Sequence, residues 1–535
     1  MQIDVVLNGA RTPIARSAFV ALLENSVASD RVPFTRALER AEISFADLKS
    51  LARVGDIPYS LFFAPLPLVD AQIKAKSKKL LQGLTKQTFS LNSRETVELC
   101  DIELIVKDLL RKQELLKKND DTLGNNRIVG LLRRPDTSAE GDAEELLGAL
   151  ELTQAALRSA RNKSAALELI IARLEANQVL VSQSVNNFMP QRLQGVKFSG
   201  ITVKDRKVPY IFLAGGEHGD FQEPLGRRVF TLTLMSVLVA RGIFAPVTYD
   251  GRSAGSDVRR EYDVVGEMLM PEAEMKRTDI GSLGAMKEAA DLFKVTPTAM
   301  VVRSLRLGMV GRDLAHTHME ELAHEYTNRE QPPMRQPKPV NAIRKYNGRE
   351  FSRQDARCPR LWQAVRASVL PRGMPQQPQA LPDRRVQRSA PLSDFSYLID
   401  SNALSKLTQE QRASDFFREN CRVPNEVLFE ARWFPDIEGL RGNEFPTTGS
   451  VLEILIEVMK TVPIDDTTLV DLYANRGNAD PLIVACAVDG MRANEWQLFG
   501  PTWVVVTNDT AVQAKVEEFG VEVLTSAEFA VVLGI

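Results

Sequence analysis

A proline-rich, basic segment divides this chain of 535 residues into two parts that can each fold. Residues 331–393 include QPPMRQPKP near one end and PRGMPQQPQALPDRR near the other, and neither stretch suits a packed core. Lysine and arginine exceed acidic residues in this segment by roughly ten. We expect a solvated tether, and the alternative is a tether whose basic side chains also contact phosphate groups.

Composition and charge exclude several classes of protein. The formal net charge of -2 gives no overall attraction to nucleic acid. The four cysteines are far apart and lack zinc-ribbon or disulfide spacing, and this favours a reducing, cytoplasmic location. We expect no secretory signal at the N-terminus. The longest strongly apolar run, residues 229–240, is too short for a bilayer, so it predicts a buried core helix and no membrane partner.

The part before the tether is expected to be mostly helical. Residues 1–90 predict a helical module, within which RALERAEISFADLKSLARVGDIPY leaves a degenerate helix-turn-helix as the minority alternative. Helical spacing of apolar residues recurs from about residue 92 to residue 177. The segment FSGITVKDRKVPYIFLAGG carries β-branched and aromatic residues between turn formers, and it predicts a pair of strands. Residues 91–330 are therefore expected to form a helical body with a small sheet.

Four segments after the tether each place one acidic side chain at the end of a predicted element. The segments are the strand FSYLI, the helix predicted in CRVPNEVLFEARW, the helix that begins in NADPLIVACA, and the strand TWVVV. The four acids are Asp400, Glu430, Asp480 and Asp509. An α/β fold places its ligands at the carboxyl ends of its strands. Hard cations such as Mg²⁺ and Mn²⁺ prefer oxygen ligands together with water and phosphate oxygens, so the pattern predicts a metal site that acts on a phosphodiester.

Each acid also has an ordinary structural explanation when it is taken alone. Asp480 followed by proline suits a helix N-cap, Asp509 suits a turn, and Glu430 suits an exposed helix surface. The alternatives to Glu430 as the second ligand are Glu426, Glu438 and Asp489. The appearance of all four acids in order at element ends favours a functional site over four coincidences.

The segments YLIDSN, VPNEVLFE, ADPLIVACA and VVTND together resemble the PIN-domain nucleases, the group that contains the VapC-type toxins. The resemblance covers residues 394–535 and implies an α/β/α domain with a parallel sheet. It implies Mg²⁺- or Mn²⁺-dependent endonuclease activity, with RNA as the first choice of substrate and DNA as the second. It also implies that the four acids bind the metal. The supporting polar groups would be Ser401, Asn402, Thr507 and Asn508.

Residues 91–330 resemble the ImmA/IrrE family of zinc peptidase-like proteins, through motifs such as VPYIFLAGGEH, GRRVFTLTLMSVL and GEMLMPEAEM. In that family two histidines and a glutamate follow the FTL sequence. The histidines bind the zinc ion, and the glutamate acts as the general base. Here those positions are Leu234, Met235 and Leu238, which neither bind zinc nor transfer a proton. The expected third ligand falls near Arg260, beside Glu261. The resemblance therefore implies a pseudo-peptidase without zinc.

Three of the four histidines lie together in HTHMEELAHEY. They are His316, His318 and His324, and they lack the two-histidine pair one helical turn apart that a zinc peptidase needs. We expect an ordinary helix here.

These interpretations together predict a metal-dependent endonuclease controlled by a catalytically dead domain that acts as sensor, inhibitor or dimerisation platform. By analogy with the two families, the chain would serve as a toxin–antitoxin or anti-phage effector, with a regulatory protein or phage-derived trigger and a homo-oligomeric state as further expectations. One alternative is a regulator that binds nucleic acid or protein without cutting it. A second alternative is an unorthodox protease.

Overall fold

The two ends of the chain belong to one compact unit, and the middle of the chain forms a second unit. In the computed structural model, one unit comprises Met1–Lys79 with Gln377–Ile535, and the other comprises Leu80–Gln376. The residues that the structure describes are 1–84, 99–134, 136, 138–185, 188–193, 198–217, 223–248, 260–328, 338–348, 395–494 and 500–533. The fold is mixed α/β, as expected. Among these residues, every helix is too short or too polar to cross a membrane.

The N-terminal segment, Met1–Lys79, begins with a β-hairpin, whereas we expected only helices. Strand β1 (Gln2–Leu7) pairs antiparallel with β2 (Ala10–Ala15). Asn8 and Gly9 join them with φ values of 50° and 86°, as two-residue hairpin turns require. Strand β3 (Glu42–Ser44) lies parallel to β1 and completes a sheet of order β2-β1-β3. The helices are Arg16–Glu24, Val32–Arg40, Phe45–Gly55 and Leu66–Leu81, with a 3-10 turn at Tyr59–Phe63.

The middle unit is built on a four-stranded mixed sheet. Its strands are β4 (Leu180–Val185), β5 (Phe198–Val203), β6 (Tyr210–Glu217) and β7 (Pro246–Thr248), in the order β4-β6-β5-β7. The predicted pair of strands corresponds to β5 and β6, which pair antiparallel, and this prediction is confirmed. The helices are Glu103–Asn119, Ala139–Ala149, Gln154–Ser159, Lys163–Ala176, Leu225–Arg241, Arg260–Leu269, Glu272–Met275, Leu283–Leu292, Pro297–Arg306, Arg312–Asn328 and Pro339–Asn347, with a 3-10 turn at Leu99–Asp101.

The predicted buried core helix of this unit is present as Leu225–Arg241. Leu234, Met235 and Leu238 are all buried in its apolar core. Met235 lies so close to β5 that a Cβ atom at Gly200 would stand 2.7 Å from the methionine sulfur, so the helix and the sheet pack in direct contact. The helix is apolar on most of its surface because neighbours cover it on most sides.

Part of the predicted tether is packed against the middle unit. The helix Pro339–Asn347 buries Ala342 and Tyr346, and the hydroxyl of Ser182 in β4 donates to the carbonyl of Tyr346. The Tyr346 hydroxyl in turn donates to Asp108 at 2.7 Å. The prediction of a solvated tether was wrong for this helix, because its two apolar side chains find a core. Residues 331–337 of the first proline-rich stretch, and all of the second, lie outside the described residues.

The C-terminal part contains a five-stranded sheet in which all neighbouring strands run parallel. Its strands are β8 (Phe395–Ile399), β9 (Cys421–Pro424), β10 (Glu444–Phe445), β11 (Thr502–Val506) and β12 (Glu522–Leu524), in the order β10-β9-β8-β11-β12. The helices are Ser401–Lys406, Gln409–Arg412, Asp415–Asn420, Asn425–Glu430, Ile437–Leu440, Gly449–Lys460, Asp480–Asn494, Thr510–Glu518 and Ser526–Val532, with a 3-10 turn at Arg441–Asn443.

One prediction for this part needs correction. We expected the segment CRVPNEVLFEARW to be helical from Val423 onwards, but its first four residues form β9. The helix begins only at Asn425, and Pro424 lies at the junction. Glu430 remains on a helix, as its last residue.

Alternate residues of each strand point to opposite faces of this sheet, and both faces are covered by an apolar core. Leu398 and Val505 belong to a core that includes the helix Asp480–Asn494 and side chains of the N-terminal segment. Ile399 and Val506 belong to a second core on the other face. The N-terminal segment is therefore a structural part of the C-terminal domain.

Candidate functional site

The site lies where the strand order of the C-terminal sheet reverses, between β8 and β11. Chain connections leave β8 toward β9 on one side, while β11 lies on the other side. In open parallel sheets such a switch point leaves a crevice at the carboxyl ends of the strands, and ligands bind there. Asp400 directly follows β8, and Asp509 follows β11 after two residues. The amide of Asp400 donates to the carbonyl of Val506 at 3.0 Å, which ties the two strand ends together.

Asp400 is buried and held in one orientation. The Thr507 hydroxyl donates to Asp400 Oδ2 at 2.8 Å, and the amide of Ser401 donates to Oδ1 at 2.6 Å. Burial raises the pKa of Asp400 above its usual range, these hydrogen bonds partly oppose the rise, and the charge of Asp509 adds to it. The carboxylate is therefore preorganised, and it lies within electrostatic reach of a second acid.

Glu430 comes to the same place from the end of its helix. The Ser401 hydroxyl lies 3.4 Å from Asp400 Oδ1 and also lowers the pKa of Glu430, so Ser401 lies near both acids. Glu430 is exposed, as its ordinary explanation on a helix surface requires. The pKa of its carboxyl is nevertheless raised, first by desolvation and then by repulsion from Asp400 and Glu426.

Asp480 is the acid on which the others converge. It begins the helix Asp480–Asn494, as predicted. Burial, followed by repulsion from Asp400, Glu430 and Asp509, raises its pKa from 3.8 to about 7, and the nearby Arg476 offsets only part of this rise. Asp480 thus interacts electrostatically with each of the other three predicted acids.

Asp509 has a second, structural role, and only two of the four supporting polar groups contact the acids. Asp509 also caps the helix Thr510–Glu518, because its Oδ1 accepts from the amides of Ala511 and Val512 at 2.8 and 3.3 Å. The structural explanation considered for Asp509 therefore holds alongside its place in the cluster. Of the four supporting polar groups, Ser401 and Thr507 contact the acids. Asn508 instead hydrogen-bonds to Ser526, and Asn402 is exposed.

The three alternatives to Glu430 are placed differently. Glu426 is buried and paired with Lys49, with 3.3 Å between Nζ and Oε1. Glu438 is exposed and paired with Arg441. Asp489 lies nine residues beyond Asp480 on the same helix, which places it about 13 Å farther along the axis. Glu430 is the one of these acids that raises the pKa of Asp480.

Carboxylates are the ligand type that a hard divalent cation prefers. In the described ranges, no group of three or more His, Cys, Asp or Glu side chains is arranged so that it could hold a metal ion. Mg²⁺ does not need such a group, because proteins commonly hold it by one or two carboxylates with water and phosphate oxygens as the other ligands. Four acids that repel one another at the end of a sheet produce a negative potential that a cation would relieve.

The sequence analysis missed the residues that hold the loop before Asp480. The Ser60 hydroxyl donates to the carbonyl of Gly477 at 2.6 Å, and the amide of Tyr59 donates to Asn478 Oδ1 at 2.9 Å. A third bond runs from Asn475 Nδ2 to Asp56 at 2.6 Å. The N-terminal segment therefore positions the start of the helix that carries Asp480.

Two further features fix the same loop. Gln72, which is buried, donates to the carbonyls of Asp466 and Val470 at 2.7 and 3.0 Å and accepts from the amide of Leu472. Gly477 has a φ of 97°, and a Cβ there would stand 2.6 Å from the carbonyl oxygen of Leu469. The turn formers in NRGNAD could have predicted a tight loop, but no local pattern identifies partners some 400 residues away.

Comparison of the chain with protein-family models, with curated proteins and with solved structures finds no match.

Proposed function

We propose that this chain is a metal-dependent endonuclease, with RNA as the first choice of substrate, and that Asp400, Glu430, Asp480 and Asp509 form its active site. One observation carries the proposal: burial, together with repulsion from the other three acids, raises the pKa of Asp480 to about 7 at the switch point of a parallel sheet. Strongly perturbed carboxyl groups in a crevice of this kind are typical of functional sites. The resemblance of residues 394–535 to PIN-domain nucleases agrees with this proposal.

The residues have distinct roles in this proposal. Mg²⁺ or Mn²⁺ held by the acids would activate water and neutralise charge that develops on the scissile phosphate. Thr507 and Ser401 hold the Asp400 carboxylate in a fixed orientation. Because the pKa of Asp480 is raised to about 7, binding of a cation by this carboxyl near neutral pH would displace its proton. Arg476, which lowers the pKa of Asp480, would attract substrate phosphate to the same end of the sheet.

The middle unit has a regulatory part in this proposal. Leu234, Met235 and Leu238 are buried in its apolar core, which supports a packing role for the helix that would carry zinc ligands in an ImmA/IrrE peptidase. Arg260, near the position of the expected third ligand, donates to Asp142 at 2.8 Å. We infer a catalytically dead domain that controls the nuclease, and by analogy with the two families a toxin–antitoxin or anti-phage effector.

The test is cleavage of total RNA, tRNA and DNA by the full chain with and without Mn²⁺. Asp400→Asn and Asp480→Asn each remove an anionic ligand at constant side-chain size, and each should lower the cleavage rate about 100-fold or more. Asp489→Asn is the matched control on the same helix, and it should cut like the unaltered protein. Equal cleavage by all four proteins would falsify the proposed site. Metal-dependent binding without cleavage would favour the alternative of a regulator that cuts nothing.

A further inference from the structure

Two exposed aromatic rings and two arginines form a cluster at the end of the helix that carries Glu430. The cluster consists of Phe429, Trp433, Arg53 and Arg432. Trp433 is 74% exposed and Phe429 is 42% exposed, both unusual for large apolar side chains. The Arg53 and Arg432 guanidinium carbons lie 4.4 and 4.5 Å from the centre of the Phe429 ring. Arg432 also lies 5.1 Å from the Trp433 ring, so it joins the two aromatic groups.

This aromatic–arginine cluster is contiguous with the acidic site. Phe429 immediately precedes Glu430, and the positive charge of Arg432 partly offsets the rise in the pKa of Glu430. Arg432 is also held in place, because its Nη1 donates to the carbonyl of Phe429 at 2.8 Å. A fixed positive charge and an exposed indole ring therefore stand beside one of the four carboxylates.

The cluster has the side-chain chemistry that binds the phosphates and bases of a nucleic acid. An acidic crevice repels the phosphates of a nucleic acid, so a substrate needs cationic groups at the rim, and Arg53 and Arg432 provide them. Aromatic rings stack on nucleobases of any sequence, and arginine contributes cation–π contacts in the same places. A duplex keeps the faces of its bases inside the stack, so only an unpaired nucleotide can use an exposed tryptophan.

We propose that Trp433, supported by Phe429, Arg53 and Arg432, is the residue that stacks on an unpaired nucleobase next to the scissile phosphate. This inference rests on the proposed nuclease function and deepens it by naming the residues that bind the substrate. The base lies against the indole face, and the two arginines bind the flanking phosphates.

The first experiment measures binding without cleavage. The full chain carrying Asp480→Asn is titrated, in EDTA, into a fluorescein-labelled RNA oligonucleotide, a DNA oligonucleotide of the same sequence, and the duplex of each, and anisotropy is recorded. Adding Trp433→Ala should weaken single-strand binding about tenfold, because one lost stacking contact has that effect. Trp433→Phe, which keeps a stacking ring, should bind within about twofold of the parent. Duplex binding should not change.

Phe395→Ala is the matched control. Phe395 is 41% exposed, close to the value for Phe429, but it lies at the opposite end of β8, about 16 Å along the strand from Asp400. This variant should bind single strands like the parent. Unchanged single-strand binding by the Trp433→Ala protein overturns the inference, and so does an equal loss for single strand and duplex. A change confined to self-association in sedimentation would identify Trp433 as a protein contact and overturn it as well.

A second experiment separates this inference from the proposed function. With Mn²⁺ and the native carboxylates, Trp433→Ala should raise the KM for single-stranded substrate about tenfold and change kcat little, because the residue binds substrate and does not take part in the reaction. If Asp480-dependent cleavage is present but KM is unchanged, the inference alone fails. If Trp433-dependent binding is present but the unaltered chain cuts nothing, the nuclease proposal alone fails.

Discussion

Acidic side chains that take part in electrostatic clusters have opposite surroundings in the two units of this protein. In the middle unit, Asp142 is fully buried and accepts from both Arg241 and Arg260 at 2.8 Å, and the buried Glu267 pairs with Arg303. In the other unit, the neighbours of the site acids are further acids, hydroxyl groups and backbone amides. The nearby ion pair of Lys49 involves Glu426, which is not one of the site acids.

This difference distinguishes structural charge from functional charge. A buried carboxylate between two guanidinium groups is compensated within the protein, and it stabilises the fold as long as all partners remain. Carboxylates that crowd together raise the free energy of the folded state. A proton or a cation from solution lowers it again by neutralising part of the charge. A folded chain retains such an unfavourable arrangement where a ligand uses it.

The largest expected effect comes from breaking the compensated arrangement. Asp142→Ala leaves two arginines without their shared acceptor and should lower the free energy of unfolding of the middle unit by about 3–5 kcal/mol. Glu325→Gln removes an exposed pair with Lys287 in the same unit and should cost less than about 1 kcal/mol. Urea unfolding followed by circular dichroism measures both. Similar costs for the two variants would show that burial of the charge does not matter here.

Metal should stabilise the crowded acids and leave the compensated ones unaffected. Mn²⁺ at about 100 times its Kd should raise the free energy of unfolding of the unaltered chain by about 2.7 kcal/mol. Asp400→Asn and Asp480→Asn should lose most of this gain, and Asp489→Asn should keep it. Calorimetric titration provides Kd, and thermal unfolding provides the gain. An equal gain in all four proteins would place the ion somewhere else.

The raised pKa of Asp480 should make the apo protein less stable as pH rises. Between pH 3.8 and about 7 the folded state holds the Asp480 proton more tightly than the unfolded state, so stability falls as pH increases through this window. Asp480→Asn removes this dependence. In EDTA its stability gain over the unaltered chain should be larger at about pH 8 than at about pH 5, by about 1–2 kcal/mol after allowance for solvent screening.

The measurement for this prediction is thermal or urea unfolding of both proteins at the two pH values. A stability difference that does not depend on pH, or one that shrinks as pH rises, would show that Asp480 titrates normally. Asp489→Asn serves as the control, and its profile should follow that of the unaltered chain.

The smallest expected effect concerns the contact that positions Asp480. Ser60→Ala removes the hydroxyl that donates to Gly477 and should cost about 1 kcal/mol of stability, with a several-fold weaker affinity for Mn²⁺. Ser304→Ala is matched to it, because Ser304 is equally buried and donates to the carbonyl of Met300 at 2.9 Å. That variant should lose similar stability and bind Mn²⁺ normally. Loss of metal affinity in both variants would indicate a general effect of destabilisation.

Several elements were predictable because local patterns determine them. The strands before Asp400 and Asp509 are short apolar runs followed by polar groups, and the helix at Asp480 begins at an acid followed by proline, a common N-terminal pattern. The helix Leu225–Arg241 was recognisable from its continuous apolar composition. These features depend on the spacing of neighbouring residues, which the sequence contains in full.

Two elements that differ from the predictions nevertheless have local signals in the sequence. Asn8-Gly9 between alternating apolar residues is a strong hairpin signal, and it predicts β1 and β2. Pro424 marks the point where a four-residue strand passes directly into a helix, and the strand was too short to show a period of its own.

By itself, the sequence of this protein determined its apolar runs, its helix starts and the acids placed at their ends, because each depends on residues adjacent along the chain. Only the tertiary structure brought the N-terminal segment onto the C-terminal sheet and connected Ser60 to the loop before Asp480. The convergence of the four acids was likewise decided there. Strand order and long-range packing are selected by the burial of whole faces, and no local spacing of residues specifies which distant face will cover them.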